Sequence, residues 1–167
     1  MTLSPTTPRR GPVPDRIVLP SPNGATIAAH LGTTATIRTG ASLRNARAVA
    51  AWLATRHDPA HTTVAVVAAG EQWPEGALRP AVEDLWGAGA VIDHLLRAGW
   101  STPSPGAAAA RAAWLAAADD PVGNLLSCGS GRELTQGGYR EDVLIAAEVG
   151  SSRSVPVLRG GAFTAES

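Results

Sequence analysis

The stretch TVAVVAAGEQWPEGALRPAVEDLWGAGAVIDHLLR, residues 63–97, decides the fold class. It opens with a continuous apolar run over 63–68, which is typical of a strand covered on both faces. A polar loop then leads to a long amphipathic helix, predicted from about Pro80 to Arg97, and Pro80 suits the first helical position. A buried strand followed by a long helix is the repeating unit of a mainly parallel sheet.

The same alternation extends on both sides of this stretch. Short apolar or β-branched runs predict further strands at 16–19, 34–38 and 155–158. Amphipathic or alanine-rich segments predict further helices at 25–31, 42–56, 106–118, 121–136 and 141–149. Right-handed crossovers then favour a three-layer α/β/α fold with a mainly parallel sheet. We expect a proline-rich, disordered lead-in at 1–15 and one α/β domain at 16–167.

Composition excludes several classes of function. The 167 residues carry 14 basic and 14 acidic side chains, and the net charge of zero argues against a nucleic-acid or anionic-membrane partner. Every basic residue is arginine, so a Walker-type lysine, a Schiff base and a pyridoxal-phosphate anchor are excluded. The single cysteine, Cys128, excludes an intramolecular disulfide, and we expect a reducing, cytoplasmic location. No stretch approaches the roughly 20 strongly apolar residues of a membrane span.

In open α/β sheets the ligand site lies in the loops that follow the carboxyl ends of the strands. The first such loop runs into Ser21–Thr26, where backbone N–H groups at a helix start can hold a phosphate or sulfonate. The alternative is a common Pro-Asn-Gly turn with no ligand. In the second loop, Arg44 and Asn45 open a helix, and Arg44 opposes the helix dipole unless an anion is near. The alternative is a solvated surface arginine.

The third loop is bracketed by charged residues. Glu71 follows the apolar strand, Arg79 precedes the long helix, and Glu83 and Asp84 lie in its first turn. Carboxylates at this spacing can supply one or two ligands to Mg²⁺, which keeps several waters. The alternative is that the acidic pair only complements the helix dipole.

At these loops the chain resembles the 2-phosphosulfolactate phosphatase family. Four segments carry the resemblance: RIVLPSPNGATIA (16–28), GASLRNARAVAAWL (40–53), VAVVAAGEQWPEGALRPAVEDLWGAGAVI (64–92) and CGSGRELTQGGYREDVLIAAEV together with VPVL (128–158). The resemblance implies a three-layer α/β fold and Mg²⁺-dependent hydrolysis of (2R)-phosphosulfolactate, a small phosphorylated and sulfonated acid, on the coenzyme M route. It favours one shared site over three unrelated loops.

The resemblance also implies a role for each motif position. Arg44, Arg79 and Glu71 are the catalytic candidates. Asn23, Gly24, Thr26 and Asn45 are the candidates for binding substrate and phosphate. Glu83 and Asp84 are the candidates for holding the metal ion. Since adjacent helical residues point about 100° apart, we expect only one of these two to ligate directly.

The chain departs from the family in two respects, and one of them is Ala68-Ala69, where many relatives have a Cys-Ala pair. The other concerns the first half of the family. Relatives begin with a further half that carries an aspartate motif, so we expect an N-terminally shortened phosphatase. The alternative is a non-catalytic pseudoenzyme or anion-binding fragment of the same fold. A sheet that lacks its neighbouring strands leaves an apolar, open edge, which favours self-association into a homo-oligomer.

Overall fold

The computed structural model describes residues 4–10, 15–19, 21–31 and 35–166, and helices make up most of the regular secondary structure there. The helices are α1 (Thr6–Arg10), α2 (Pro22–His30), α3 (Ala46–Arg56), α4 (Val82–Arg97), α5 (Pro105–Ala117), α6 (Pro121–Ser127), α7 (Gly129–Gln136) and α8 (Arg140–Ala146). The strands are β1 (Glu71–Gln72), β2 (Leu78–Arg79), β3 (Val155–Arg159) and β4 (Ala162–Glu166). Across these residues, no helix is long and apolar enough to cross a bilayer.

The predicted helices all form, and their ends follow the capping side chains. Ser21 caps α2, accepting a hydrogen bond from Gly24 N at 3.2 Å, so this helix begins three residues earlier than predicted. The helix α3 begins at Ala46 instead of Ser42, because residues 42–45 form a turn in which Asn45 Oδ1 accepts from Ser42 N. The helix predicted over 121–136 divides at Cys128 into α6 and α7.

The core lies where α3, α4 and α5 pack together and reach β3. The close approach of α4 to α5 depends on Gly89, where an added Cβ would lie 2.1 Å from Ala110 O. Asp93, only 3% exposed, links the same two helices by accepting from Arg97 Nε at 2.7 Å and Arg111 Nε at 2.9 Å. Burial acts to raise the pKa of Asp93, but the two arginines outweigh it and hold the pKa below its ordinary value. The long helix is therefore firmly attached along its buried face.

The predicted mixed α/β class is confirmed, whereas a three-layer arrangement with a mainly parallel sheet is not found among the described residues. The strands of the described residues pair only as two antiparallel two-stranded sheets, β1–β2 and β3–β4. Segments 16–19, 35–38 and 63–68 are not assigned to strands, and Thr34, predicted to open the second of them, lies outside the described residues. A strand exists only through a series of hydrogen bonds to a neighbour. The segment that ends at Arg38 makes only a short contact of this kind with β3, through Leu158 N to Arg38 O at 2.9 Å and an isolated antiparallel bridge between Thr39 and Val157. The described chain is mixed α/β with small sheets.

The residues that we call the 63–69 segment nevertheless keep a strand-like pattern. From Thr63 to Val67 the side chains alternate between exposed and half-buried. Val64 and Val66 pack against the core, while Val67 is 52% exposed. A cavity of about 410 Å³ lies between this segment and the helices α4 and α5. This face of the molecule is therefore apolar and open.

The strand predicted at 155–158 is confirmed as β3, and it pairs with β4, which the sequence analysis missed. The pairing runs from Val155 opposite Glu166 to Arg159 opposite Ala162. Gly160 and Gly161 make the two-residue turn with φ of +55° and +83°, and a Gly-Gly pair is a hairpin signal.

Residues 4–10, within the predicted lead-in, contain α1 and lie against α8. Ser4 and Thr6 both donate to Asp142 Oδ1, and Arg9 pairs with Glu148. Residues 1–3 and 11–14 of that lead-in lie outside the described residues. The division of the chain at residue 15 stays a prediction.

Candidate functional site

Gly70 joins three parts of the chain at the start of the third loop. Its N–H donates to Asp84 Oδ2 at 2.7 Å, and its carbonyl accepts from Asn23 Nδ2 at 2.6 Å. The backbone there has φ of +69°, and an added Cβ would lie 2.7 Å from Leu78 Cδ1. Only glycine fits this conformation without strain. The turn thus holds the first loop and the start of α4 against the third loop.

The hairpin β1–β2 places Arg79 directly opposite Glu71. The Arg79 guanidinium lies over the Trp73 ring, with its Cζ 5.4 Å from the ring centroid. Its Nη1 and Nη2 donate to the two carboxylate oxygens of Glu133, on α7, at 2.8 and 3.1 Å. This pairing raises the pKa of Arg79, and the nearby charges of Glu71 and Glu83 raise it further. Arg79 is a charged, oriented donor of two parallel hydrogen bonds.

Carboxylates surround this arginine. Burial raises the pKa of Asp84; the Gly70 N–H opposes the shift, and the charges of Glu83 and Glu71 add to it. Glu83 also faces Cys128, whose pKa is raised by burial and by the Glu83 carboxylate. Three acidic side chains therefore interact electrostatically around one turn.

These carboxylates are the donor type that Mg²⁺ takes, but they do not form a complete cage. Over residues 4–10, 15–19, 21–31 and 35–166, no group of three or more His, Cys, Asp or Glu side chains is placed to hold one ion. A set of one or two carboxylates with water as the other ligands is still within the usual range for Mg²⁺. The donor chemistry therefore fits a hydrated ion held by few protein ligands.

The start of α2, predicted to bind phosphate, contacts the Gly70 turn through one of its residues. Asn23 reaches that turn through its side-chain amide, as described above. Gly24 N already donates a hydrogen bond to Ser21 Oγ, and the Thr26 carbonyl oxygen is hydrogen-bonded to His30 Nδ1 at 2.8 Å. Gly24 and Thr26 are both exposed at this end of the helix.

Arg44 and Asn45 make their contacts elsewhere. Arg44 Nη1 donates to Ile145 O at 3.4 Å, and Nη2 lies 3.3 Å from Glu148 Oε2. Asn45 is 7% exposed and donates from Nδ2 to Gly40 O and Ser154 O. These contacts tie the start of α3 to the end of α8 and the approach to β3. The structure therefore brings together Asn23, Glu71, Arg79, Glu83 and Asp84, and it places Arg44 and Asn45 in a separate contact region.

Glu133 is the residue that the sequence analysis missed. It lies 54 positions after Arg79 and reaches it only because α7 packs beside the hairpin. Its one signal in the sequence is its place within the distal segment CGSGREL. Trp73 lies two residues after Glu71, and the turn of the same hairpin holds its backbone in place through a hydrogen bond from Trp73 N to Ala77 O at 2.8 Å.

A family model described as 2-phosphosulpholactate phosphatase matches residues 3–161. A curated protein from Thermus thermophilus, described as "Probable 2-phosphosulfolactate phosphatase", is 38% identical over 153 residues, which cover 89% of this chain. The chain spans 59% of the length of that relative.

Proposed function

Because the chain belongs to the 2-phosphosulfolactate phosphatase family, we propose that it is a phosphoric monoester hydrolase acting on (2R)-2-phosphosulfolactate. Water cleaves the phosphate ester and releases phosphate and sulfolactate. The observation that carries the proposal is the convergence of Asn23, Arg79 and three carboxylates on the turn at Gly70. An arginine and a backbone turn beside acidic groups can bind a phosphorylated acid and help water attack it.

In this proposal Arg79 binds the phosphoryl or sulfonate group and stabilises the negative charge that develops on it. Asn23, Gly24 and Thr26 line the start of α2, where the helix dipole favours an anion. Glu71, opposite Arg79, orients the attacking water. The anion contacts predicted for Arg44 and Asn45 stay predictions. To bind an anion, Arg44 would first have to break its ion pair with Glu148.

We further propose that Glu83 and Asp84 hold Mg²⁺, one as a direct ligand and the other by orienting a bound water, with Glu71 beside them and water as the remaining ligands. When bound, the ion supplies Lewis-acid polarisation of the phosphoryl group and lowers the pKa of a bound water. The protein's own contribution is to collect the carboxylates and to keep Asp84 in place through its bond to Gly70 N. The raised pKa of Asp84 reflects burial and uncompensated like charge, which a divalent cation would relieve.

The three-layer parallel sheet remains part of the proposal. The hydrogen bond from Asn23 to Gly70 joins the residues that follow two predicted strands, 16–19 and 63–68. Neighbouring parallel strands end at the same edge of a sheet, so this bond supports their parallel arrangement. Slow amide hydrogen exchange in both segments would support the pairing, and fast exchange in both would contradict it.

The resemblance also supplies the setting that we propose for this activity. We place the reaction in the cytoplasm, on the coenzyme M route, with a small sulfonated phosphate as substrate. The net charge of zero supports a small acid as the partner instead of a nucleic acid.

A phosphate-release assay tests the activity. We expect turnover of phosphosulfolactate in the presence of Mg²⁺, little turnover after chelation, and weaker turnover of simple phosphomonoesters that lack the sulfonate. Arg79→Gln should lower kcat/KM by about tenfold or more, because a charge-assisted contact to the substrate is lost. A folded protein that binds phosphate but releases none from any substrate would favour the non-catalytic alternative.

Thermal melting tests the metal site separately from turnover. An ion present at 100 times its dissociation constant raises the free energy of unfolding by about 2.7 kcal/mol. For a chain of this size, that raises the melting temperature by roughly 5–10 °C. The double variant Glu83→Gln, Asp84→Asn should lose this Mg²⁺-dependent shift. Glu141→Gln, in the first turn of α8, is a single-charge control outside the site and should keep the shift. Equal shifts in the double variant and the wild type would overturn the metal assignment.

A further inference from the structure

The two terminal nitrogens of Arg79 are both occupied by one acidic side chain. Nη1 donates to Glu133 Oε1 at 2.8 Å and Nη2 donates to Oε2 at 3.1 Å. A carboxylate bound in this way uses the same parallel pair of donors that a phosphoryl or sulfonate group uses. The arginine proposed to bind the substrate is therefore already paired with an anion from its own chain.

The two partners of this ion pair differ in their freedom to move. The Arg79 side chain is only 20% exposed, is fixed by the hairpin and lies over Trp73, whereas the Glu133 side chain is 60% exposed. Arg79 also lies close to the start of α7: a Cβ added at Gly129, one helical turn before Glu133, would lie 4.0 Å from Arg79 Nη1. The guanidinium is thus held between the hairpin and α7, while Glu133 can rotate into solvent.

We infer that Glu133 holds the place of the substrate's anionic group on Arg79 and is displaced when the substrate binds. The inference rests on the proposed function, in which Arg79 is an anion contact. Since Glu71 and Glu83 also act on Arg79 electrostatically, the arginine without Glu133 would still be balanced by acidic neighbours. Glu133 therefore competes with every anion for Arg79: a single anion binds more weakly because of this competition, and a substrate with several contacts displaces Glu133 more readily. It is a specificity-determining residue for this site.

The experiment measures binding of inorganic phosphate by isothermal titration calorimetry, with and without Mg²⁺. The variants are Glu133→Gln, Glu133→Asp and Arg79→Gln. Glu166→Gln is the control at another arginine–glutamate pair, in which Arg159 Nε and Nη2 both donate to Glu166 Oε1, at 2.9 and 2.6 Å. It removes the same charge from the molecule at a pair outside the site.

Glu133→Gln should tighten phosphate binding by about two- to fivefold, which is the range expected when an exposed ion pair no longer competes. Glu133→Asp, which keeps the charge, should return the affinity toward that of the wild type, and Glu166→Gln should leave it unchanged. If Glu133 instead served to hold Arg79 in position, Glu133→Gln would weaken phosphate binding, and that result would overturn the inference.

The outcomes also separate this inference from the proposed function. If Arg79→Gln weakens phosphate binding but Glu133→Gln leaves it unchanged, the placeholder role is wrong and the anion site stands. If Arg79→Gln leaves phosphate binding unchanged, Arg79 is not an anion contact and both are wrong. If neither the wild type nor Glu133→Gln binds phosphate, with or without Mg²⁺, both are likewise wrong.

Discussion

Two glycines in α4 should respond in opposite ways to the same substitution. Gly87 and Gly89 both lie inside this helix, two residues apart. An added Cβ at Gly87 meets no atom within 4 Å, whereas at Gly89 it would lie 2.1 Å from Ala110 O and 2.7 Å from Trp114 Cβ. The backbone effect of alanine is the same at both positions, so the difference between them reports the contact between α4 and α5.

The magnitudes follow from these distances. Replacing glycine by alanine in a helix interior stabilises it by roughly 0.5–1 kcal/mol. Gly87→Ala should therefore raise the melting temperature by about 1–4 °C. At Gly89 the new methyl group collides with backbone that cannot rotate away, and overpacking of this kind costs about 1–3 kcal/mol or more. Gly89→Ala should lower the melting temperature by several degrees, because the clash outweighs the gain in helix propensity.

Urea denaturation and differential scanning calorimetry on the wild type and both variants provide the measurement. The unfolding slope in urea should stay constant, so that a change in midpoint reports a change in stability. Finding Gly89→Ala as stable as Gly87→Ala would show that the helices do not approach as closely as described. Finding both variants destabilised would contradict the open position of Gly87.

Three other predictions concern charge and surface. Asp93→Asn should lower the free energy of unfolding by about 1–3 kcal/mol, because Arg97 and Arg111 lose a charged acceptor but can return to water; denaturation with urea checks this. The pKa of Asp84 is raised in the folded state, so its ionisation costs stability as the pH rises through the folded pKa. The stability of Asp84→Asn relative to wild type should therefore increase as the pH rises above 3.8, the ordinary carboxyl pKa. A difference that is independent of pH would contradict that shift. The open 63–69 segment should promote self-association, and light scattering should show less of it for Val67→Lys, since a lysine on an exposed edge discourages pairing; a wild-type monomer at every concentration would refute this.

The helices were predictable because their signals are local. For α4, the apolar residues recur at helical spacing and the stop follows at Gly99, so the predicted end at Arg97 matches the structure. The predicted start of α3 was wrong by four residues, because the Asn45 side chain closes a turn with Ser42. Such a turn competes with the first helical turn, and helical spacing does not reveal it.

The sheet and part of the site were less predictable because they depend on partners far away in the chain. The 63–69 segment has the composition of a buried strand, but pairing needs a neighbour that no local pattern specifies. Asn23 and Asp84 both contact Gly70, and their roles in binding stay predictions. The contact of Asn45 with Ser154, just before β3, could not be seen without the fold. Glu133 was missed for the same reason, as only the packing of α7 brings it to Arg79.

The hydrogen bond from Gly70 N to Asp84 Oδ2 gives this chain a built-in spectroscopic reporter. An amide proton that points at a carboxylate is deshielded, and its resonance moves when the carboxylate takes up a proton or turns toward a cation. Glycine amides are also well separated from others in nitrogen–proton correlation spectra. One backbone signal therefore follows the ionisation of Asp84 and the arrival of a metal ion, without any label at the site itself.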